Sequence, residues 1–107
     1  MDEKSELKIS VHAQPLRDLH MSDYDFKCIF YTSRVLQSHK AVTLKKEELI
    51  KVDNDNYYAC LTSEMAKKLG AGKVMLDFIA YIPDIDFPDG LRTEIKKGIT
   101  CSNAIID

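Results

Sequence analysis

Hydrophobic and polar positions alternate along most of this chain. Leu7, Ile9, Val11 and Ala13 are separated by Lys8, Ser10 and His12, the period of two that sends successive side chains to opposite faces of a strand. Gln14-Pro15 ends that pattern, because proline has no N–H to give to a ladder, and the polar passage 17–25 reads as a loop. Tyr24, Phe26, Cys28 and Phe30 then form one face of a second strand, with Asp25, Lys27, Ile29 and Tyr31 on the other. Its aromatic and β-branched content predicts a central position in a sheet. Ser33-Arg34 predicts a tight connection into residues 36–42, where Gln37, Ser38, His39 and Lys40 are too polar for a core and suit an edge strand. Residues 43–49, with Lys45, Lys46, Glu47 and Glu48, predict one helical turn. Ile50 and Val52, the turn cluster Asp53-Asn54-Asp55-Asn56 and the run Tyr57-Tyr58-Ala59-Cys60-Leu61 together predict a β-hairpin.

Thr62 offers a capping hydroxyl to the good helix formers of 63–69, Lys67 and Lys68 stand near the end, and Gly70 follows, so a short helix is expected. Val74, Leu76, Phe78, Ala80 and Ile82 make the longest alternating stripe, and Met75, Ile79 and Tyr81 make its opposite face apolar too. That strand is either buried on both faces or covers an interface. Pro83-Asp84-Ile85-Asp86-Phe87-Pro88-Asp89-Gly90 is a sharply punctuated loop, since two prolines fix φ and the aspartates and glycine favour turns. Beyond it Leu91, Thr93 and Ile95 alternate with Arg92, Glu94 and Lys96, and 99–106 offers one more weak segment. About seven short strands with turn signals between them predict an all-β, antiparallel β-sandwich with one short helical turn.

Length, charge and cysteine usage narrow the class. A chain of 107 residues suits one domain with one core, with 1–6 as a flexible N-terminal tail, and folding at this size buries roughly 65% of the unfolded surface. The 15 basic and 17 acidic residues nearly cancel, which leaves no field strong enough for nucleic acid or an anionic membrane. Cys28, Cys60 and Cys101 are odd in number and widely spaced, so reduced, buried thiols are expected rather than a disulfide framework. The charged start Met1-Asp2-Glu3-Lys4-Ser5-Glu6 has no signal h-region, which points to synthesis in the cytosol.

Each candidate site competes with a plainer reading. Asp53, Asp55 and Glu64 fall at positions one, three and twelve of a calcium loop, but Tyr58 replaces the glycine and Tyr57 an oxygen ligand, so a hairpin turn is preferred. Asp84, Asp86 and Asp89 lie on one short loop that rarely supplies both an acid and a base with divergent pKa values. The same loop is nonetheless a contact candidate, because loops on rigid scaffolds carry much of binding function. His12, His20 and His39 form no zinc spacing, and only a spatial pair such as Cys60 with His12 stays open. No nucleophile elbow, phosphate loop or dinucleotide fingerprint is present, so the chain reads as non-enzymatic with no cofactor. The strand aromatics favour core packing, and the lack of tryptophan weakens a glycan-binding alternative. Tyr31, Tyr57 and Tyr81 are candidates for outer strand faces. The proposed contact residues are Met75, Ile79, Tyr81, Asp84, Asp86 and Phe87.

Gly70-Ala71-Gly72-Lys73-Val74-Met75, the strand after it, and the phrase from Ile82 to Asp89-Gly90-Leu91-Arg92 resemble small structural proteins of phages and prophages of Bacteroides-type gut bacteria. The approach Tyr24-Asp25-Phe26-Lys27 is similar to their early strand, and the layout resembles the immunoglobulin-like N-terminal domains of phage upper baseplate proteins. The specific part of this resemblance covers residues 70–94. It implies an immunoglobulin-like sandwich, a role in assembling a tail or virion through contacts with other proteins or second copies, and a virion-associated location. Since neither the Asp53 cluster nor the cysteines meets a ligand pattern, EDTA should leave the melting temperature unchanged; a drop of several degrees would reveal a structural metal.

Overall fold

A computed structural model of the chain describes residues 7–13, 19–32 and 40–106. They form seven strands, β1 (Leu7–His12), β2 (Asp25–Tyr31), β3 (Val42–Lys45), β4 (Ile50–Asp53), β5 (Asn56–Leu61), β6 (Gly72–Pro83) and β7 (Leu91–Ile106), with one helix, α1 (Ser63–Leu69), between β5 and β6. Every pairing is antiparallel. One sheet has the order β1-β5-β4 and the other β3-β2-β6-β7. In immunoglobulin lettering these orders read B-E-D and C′-C-F-G, so the chain is an immunoglobulin-like sandwich without a counterpart of strand A among the described residues.

The alternation predicted from the sequence sets the core. Ile9 and Val11 point inward opposite Ala59 and Tyr57, while Lys8, Ser10 and His12 stay exposed. On the larger sheet Phe26, Cys28 and Phe30 of β2 and Val74, Leu76, Phe78, Ala80 and Ile82 of β6 are buried. The described cysteines are reduced thiols on β2, β5 and β7, so the B and F positions that carry the inter-sheet disulfide of antibody domains lack one here. Aromatic packing holds the corresponding centre. The Phe26 ring lies 5.1 Å from Phe78 and 5.3 Å from Tyr57, the latter edge-on, and Tyr24 closes the group at 6.1 Å.

Local chemistry explains the connections. Thr62 Oγ1 accepts the Met65 N–H at 3.2 Å at the start of α1, and Gly70, at φ 85°, ends it. Ala66 and Leu69 anchor the helix in the core. A 3-10 turn at Lys46–Glu48 follows β3, and Lys46 Nζ donates to the carbonyls of Ser22 (3.0 Å) and Tyr24 (2.7 Å), tying that turn to the start of β2.

Three expectations change. The edge strand assigned to 36–42 lies mostly outside the described residues, and β3 instead runs from Val42 through Lys45, into the stretch expected to be helical. Val42 and Leu44 pair with Phe30 and Cys28 and bury two side chains there, too few for the alternation to stand out among lysines. The segments 91–96 and 99–106 are one strand rather than two. An extra residue at Lys97-Gly98 shifts the phase, with Gly98 at φ 71° and its N–H donating to Asp77 Oδ1 at 2.8 Å, so the alternation breaks while the pairing to β6 continues. Finally, Tyr57 is buried rather than outward, because the turn before β5 puts Tyr57, Ala59 and Leu61 on the inner face.

Truncating Phe26, whose ring touches both sheets' aromatics, should cost about 3–5 kcal/mol, a large share of the roughly 5–15 kcal/mol typical of a domain. Urea unfolding of Phe26→Ala measures this. A loss below about 1 kcal/mol would place the centre of the core elsewhere.

Candidate protein interface

The outer face of the larger sheet collects the apolar side chains predicted for an interface. Met75, Ile79 and Tyr81 of β6 are all half-buried there. Ile79 sits between Lys27 on β2 and Ile95 on β7, and Tyr81 between Asp25 and Thr93. Met75 lies between Tyr31 and Thr100, and Ile29 lies beside Asp77. Asp77, the one acid in this row, is already engaged, since its Oδ1 accepts the Tyr31 hydroxyl at 2.8 Å as well as the Gly98 N–H. Asp77 thus sits within the apolar row with its Oδ1 engaged, and Lys27 borders Ile79 on the β2 side.

The loop after β6 is rigid through its own aspartates. Asp84 N–H donates to the Gly90 carbonyl at 2.9 Å, Phe87 N–H to the Asp84 carbonyl and Gly90 N–H to the Phe87 carbonyl. Asp84 Oδ1 accepts the Asp86 N–H, its Oδ2 accepts from Arg92 Nη1 at 3.1 Å, and Asp89 Oδ1 accepts the Leu91 N–H. Arg92 also reaches Glu94 at 3.0 Å. Of the predicted contact residues, Asp84 thus serves the loop itself, Asp86 is exposed, and Phe87 stands at the tip, 43% exposed. Beside Phe87 the loop holds Ile85 at 98% exposure, an apolar side chain with almost no contact to the domain.

Sequence reasoning missed Ile85, Leu91 and Ile95. Leu91 and Ile95 pair with Pro83 and Ile79 and so face outward, whereas Arg92, Glu94 and Lys96 pair with the inward residues Ile82, Ala80 and Phe78. Amphipathic alternation suggests the opposite orientation. The signal was the outward apolar row of β6, which fixes the register of its neighbour. Glu94 and Lys96 remain exposed on that inner side, so the smaller sheet does not cover β7 at these positions.

The polar clusters serve structure. Asp53 Oδ1 accepts the Asp55 N–H at 2.9 Å and Asn56 Nδ2 at 2.8 Å, and these bonds hold the Asp53 carboxyl below its ordinary pKa. Asp55 is joined to His20 Nδ1 at 2.7 Å and accepts the Met21 N–H at 3.1 Å, while Ser22 N–H donates to the Asn54 carbonyl, so the hairpin turn clasps the chain just before β2. His12 Nδ1 lies 2.8 Å from Asn56 Oδ1. His12 and Cys60 do not meet, because Cys60 pairs with Lys8 and His12 with Asn56, at opposite ends of the ladder. Burial, with a lesser contribution from Cys101, pushes the Cys28 thiol up to about 12, and burial also raises Cys101, so neither is a ready thiolate. Cys60 is half-buried. Among the described residues no group of three His, Cys, Asp or Glu side chains converges on a metal position, and no helix is long and apolar enough to cross a membrane.

No protein-family model, curated protein or solved structure matches the chain.

The His20–Asp55 contact predicts a pH dependence. The hydrogen bond that His20 donates to Asp55, and then the Asp55 charge, raise the His20 pKa above 6.5, so the folded chain holds this proton more tightly than the unfolded one. The pair's contribution is complete below 6.5 and is lost as pH rises through the raised folded value. Urea unfolding should show the stability gap between wild type and His20→Asn shrinking from mildly acidic to mildly alkaline pH. A gap independent of pH would show that the contact is made by neutral imidazole.

Proposed function

We propose that this chain is a non-enzymatic structural module that acts through protein–protein contacts, in an assembly of the phage or prophage tail or baseplate kind that its sequence resembles. The observation that carries the proposal is the outward pairing of Ile79 with the 52%-exposed Ile95 on the outer face of the larger sheet, with Met75, Ile29 and Tyr81 nearby. A contiguous apolar patch rimmed by polar residues is the usual mark of a binding surface. Asp25, Lys27, Thr43 and Thr93 provide that rim. The loop adds a second element at the end of the same hairpin, where Ile85 and Phe87 project from a backbone braced by Asp84, Asp89 and Arg92. Such a rigid loop binds with little ordering cost.

The test is co-purification with the products of adjacent genes, together with light scattering for self-association. Ile95→Lys and Ile79→Lys should each weaken association at least tenfold, about 1.4 kcal/mol, while circular dichroism and melting stay close to wild type. Val52→Lys, at an exposed position on β4, serves as the control. Association that persists in folded Ile95→Lys and Ile79→Lys variants would remove this face from the interface, and unfolding by Ile79→Lys would assign that side chain to the core.

A further inference from the structure

A cleft of about 680 Å³ runs between β1 and β7, the edge strands on one side of the sandwich. Six consecutive residues of β1 and its end, from Lys8 to Ala13, line it. Consecutive residues alternate between the two faces of a strand, so what borders the cleft along β1 is its backbone edge, opposite the edge that pairs with β5. Among the described residues no strand pairs with that outer edge. The cleft floor is apolar, with Ile9 and Val11 from β1, Leu76 and Phe78 from β6, and Ile99 and Cys101 from β7. Ile99 is 38% exposed despite facing the inner side. The ladder between β6 and β7 also shifts register next to this place, between the pairs Lys73–Ile105 and Met75–Thr100.

We infer that this cleft receives an extended, acidic segment of a partner protein, which adds as a strand to the outer edge of β1. Strand addition satisfies an open backbone edge, and alternate side chains of the incoming segment enter the apolar floor while the others remain at the rim. Charge selects the occupant. Lys8, Lys96 and His12 line the cleft, and among the described residues no acidic side chain does. Glu94, the nearest acid along β7, is already engaged with Arg92. Antiparallel pairing with β1 of a second copy would bring Leu7–His12, which has no acid and in one register sets Lys8 opposite His12, so the complement is a different sequence, apolar at alternate positions with aspartate or glutamate between. This proposal extends the assembly reading to a second surface, separate from the outer face that bears Ile79 and Ile95.

The probe is a short, acetylated and labelled peptide of alternating valine and glutamate, added to the full chain. Fluorescence anisotropy should show saturable binding that weakens with salt, and hydrogen exchange should slow at alternate amides of β1 but not of β4. Lys96→Glu and Lys8→Glu should each weaken binding about fivefold. Ile95→Lys should leave it unchanged, so this surface and the outer face can fail separately. Each of these results would overturn the proposal: no binding, equal binding of a peptide with lysine in place of glutamate, protection confined to β4 or the outer sheet face, or binding that emerges only after residues 1–6 are removed, which would make that segment the occupant. Protection of β1 that rises with protein concentration in the absence of peptide would instead assign the edge to a second copy, and equally overturn it.

Discussion

The fold depends on β6 being sealed along its inner face and flanked on both edges. Val74, Leu76, Phe78, Ala80 and Ile82 supply an unbroken row of buried side chains, and β2 and β7 bond to either side. Burial of that row requires a second layer, which β1 and β5 provide through Ile9, Val11, Tyr57, Ala59 and Leu61. With the inner row fixed, the outer row follows from the pleat, and Met75, Ile79 and Tyr81 are carried to the far side of the sheet. The candidate interface is thus a geometric result of how the core is closed.

Strands with clean alternation were legible in the sequence. Leu7–His12, Asp25–Tyr31, the Asp53 turn, the Thr62-capped helix and the two-faced β6 follow from period, caps and turn residues. Two physical effects hid the rest. In β3 only Val42 and Leu44 are buried, so pairing with β2 decides a strand that local composition does not announce. In β7 the apolar positions Leu91 and Ile95 face solvent because their partner's register outranks their own amphipathicity, and this reversal is what left Ile95 out of the predicted contact set while Ile79 was in it. Asp84 and Asp86 were attractive as charged contacts, yet Asp84 is spent on Arg92 and on its own loop.

The two surfaces differ in kind. The outer face offers side chains on a closed ladder, so a partner there is recognised by shape and apolar area. The β1–β7 cleft offers main chain as well, so recognition there combines backbone hydrogen bonding with a preference for negative charge. They lie on opposite sides of β7: Ile95 belongs to the outer face, whereas Ile99 and Cys101 belong to the cleft.

That division within one strand comes from Gly98. The additional residue there acts as a half-period offset, sending odd-numbered positions outward before it and inward at Ile99 and Cys101 just after it. Without it, Cys101 would leave the core and Thr100 would enter it. The genetic consequence is an asymmetry in what β7 can tolerate: lengthening or shortening the loop ahead of Leu91 leaves both faces intact, but losing a single codon at the bulge would exchange the strand's dry and wet sides from Ile99 to Cys101, up to the second register shift.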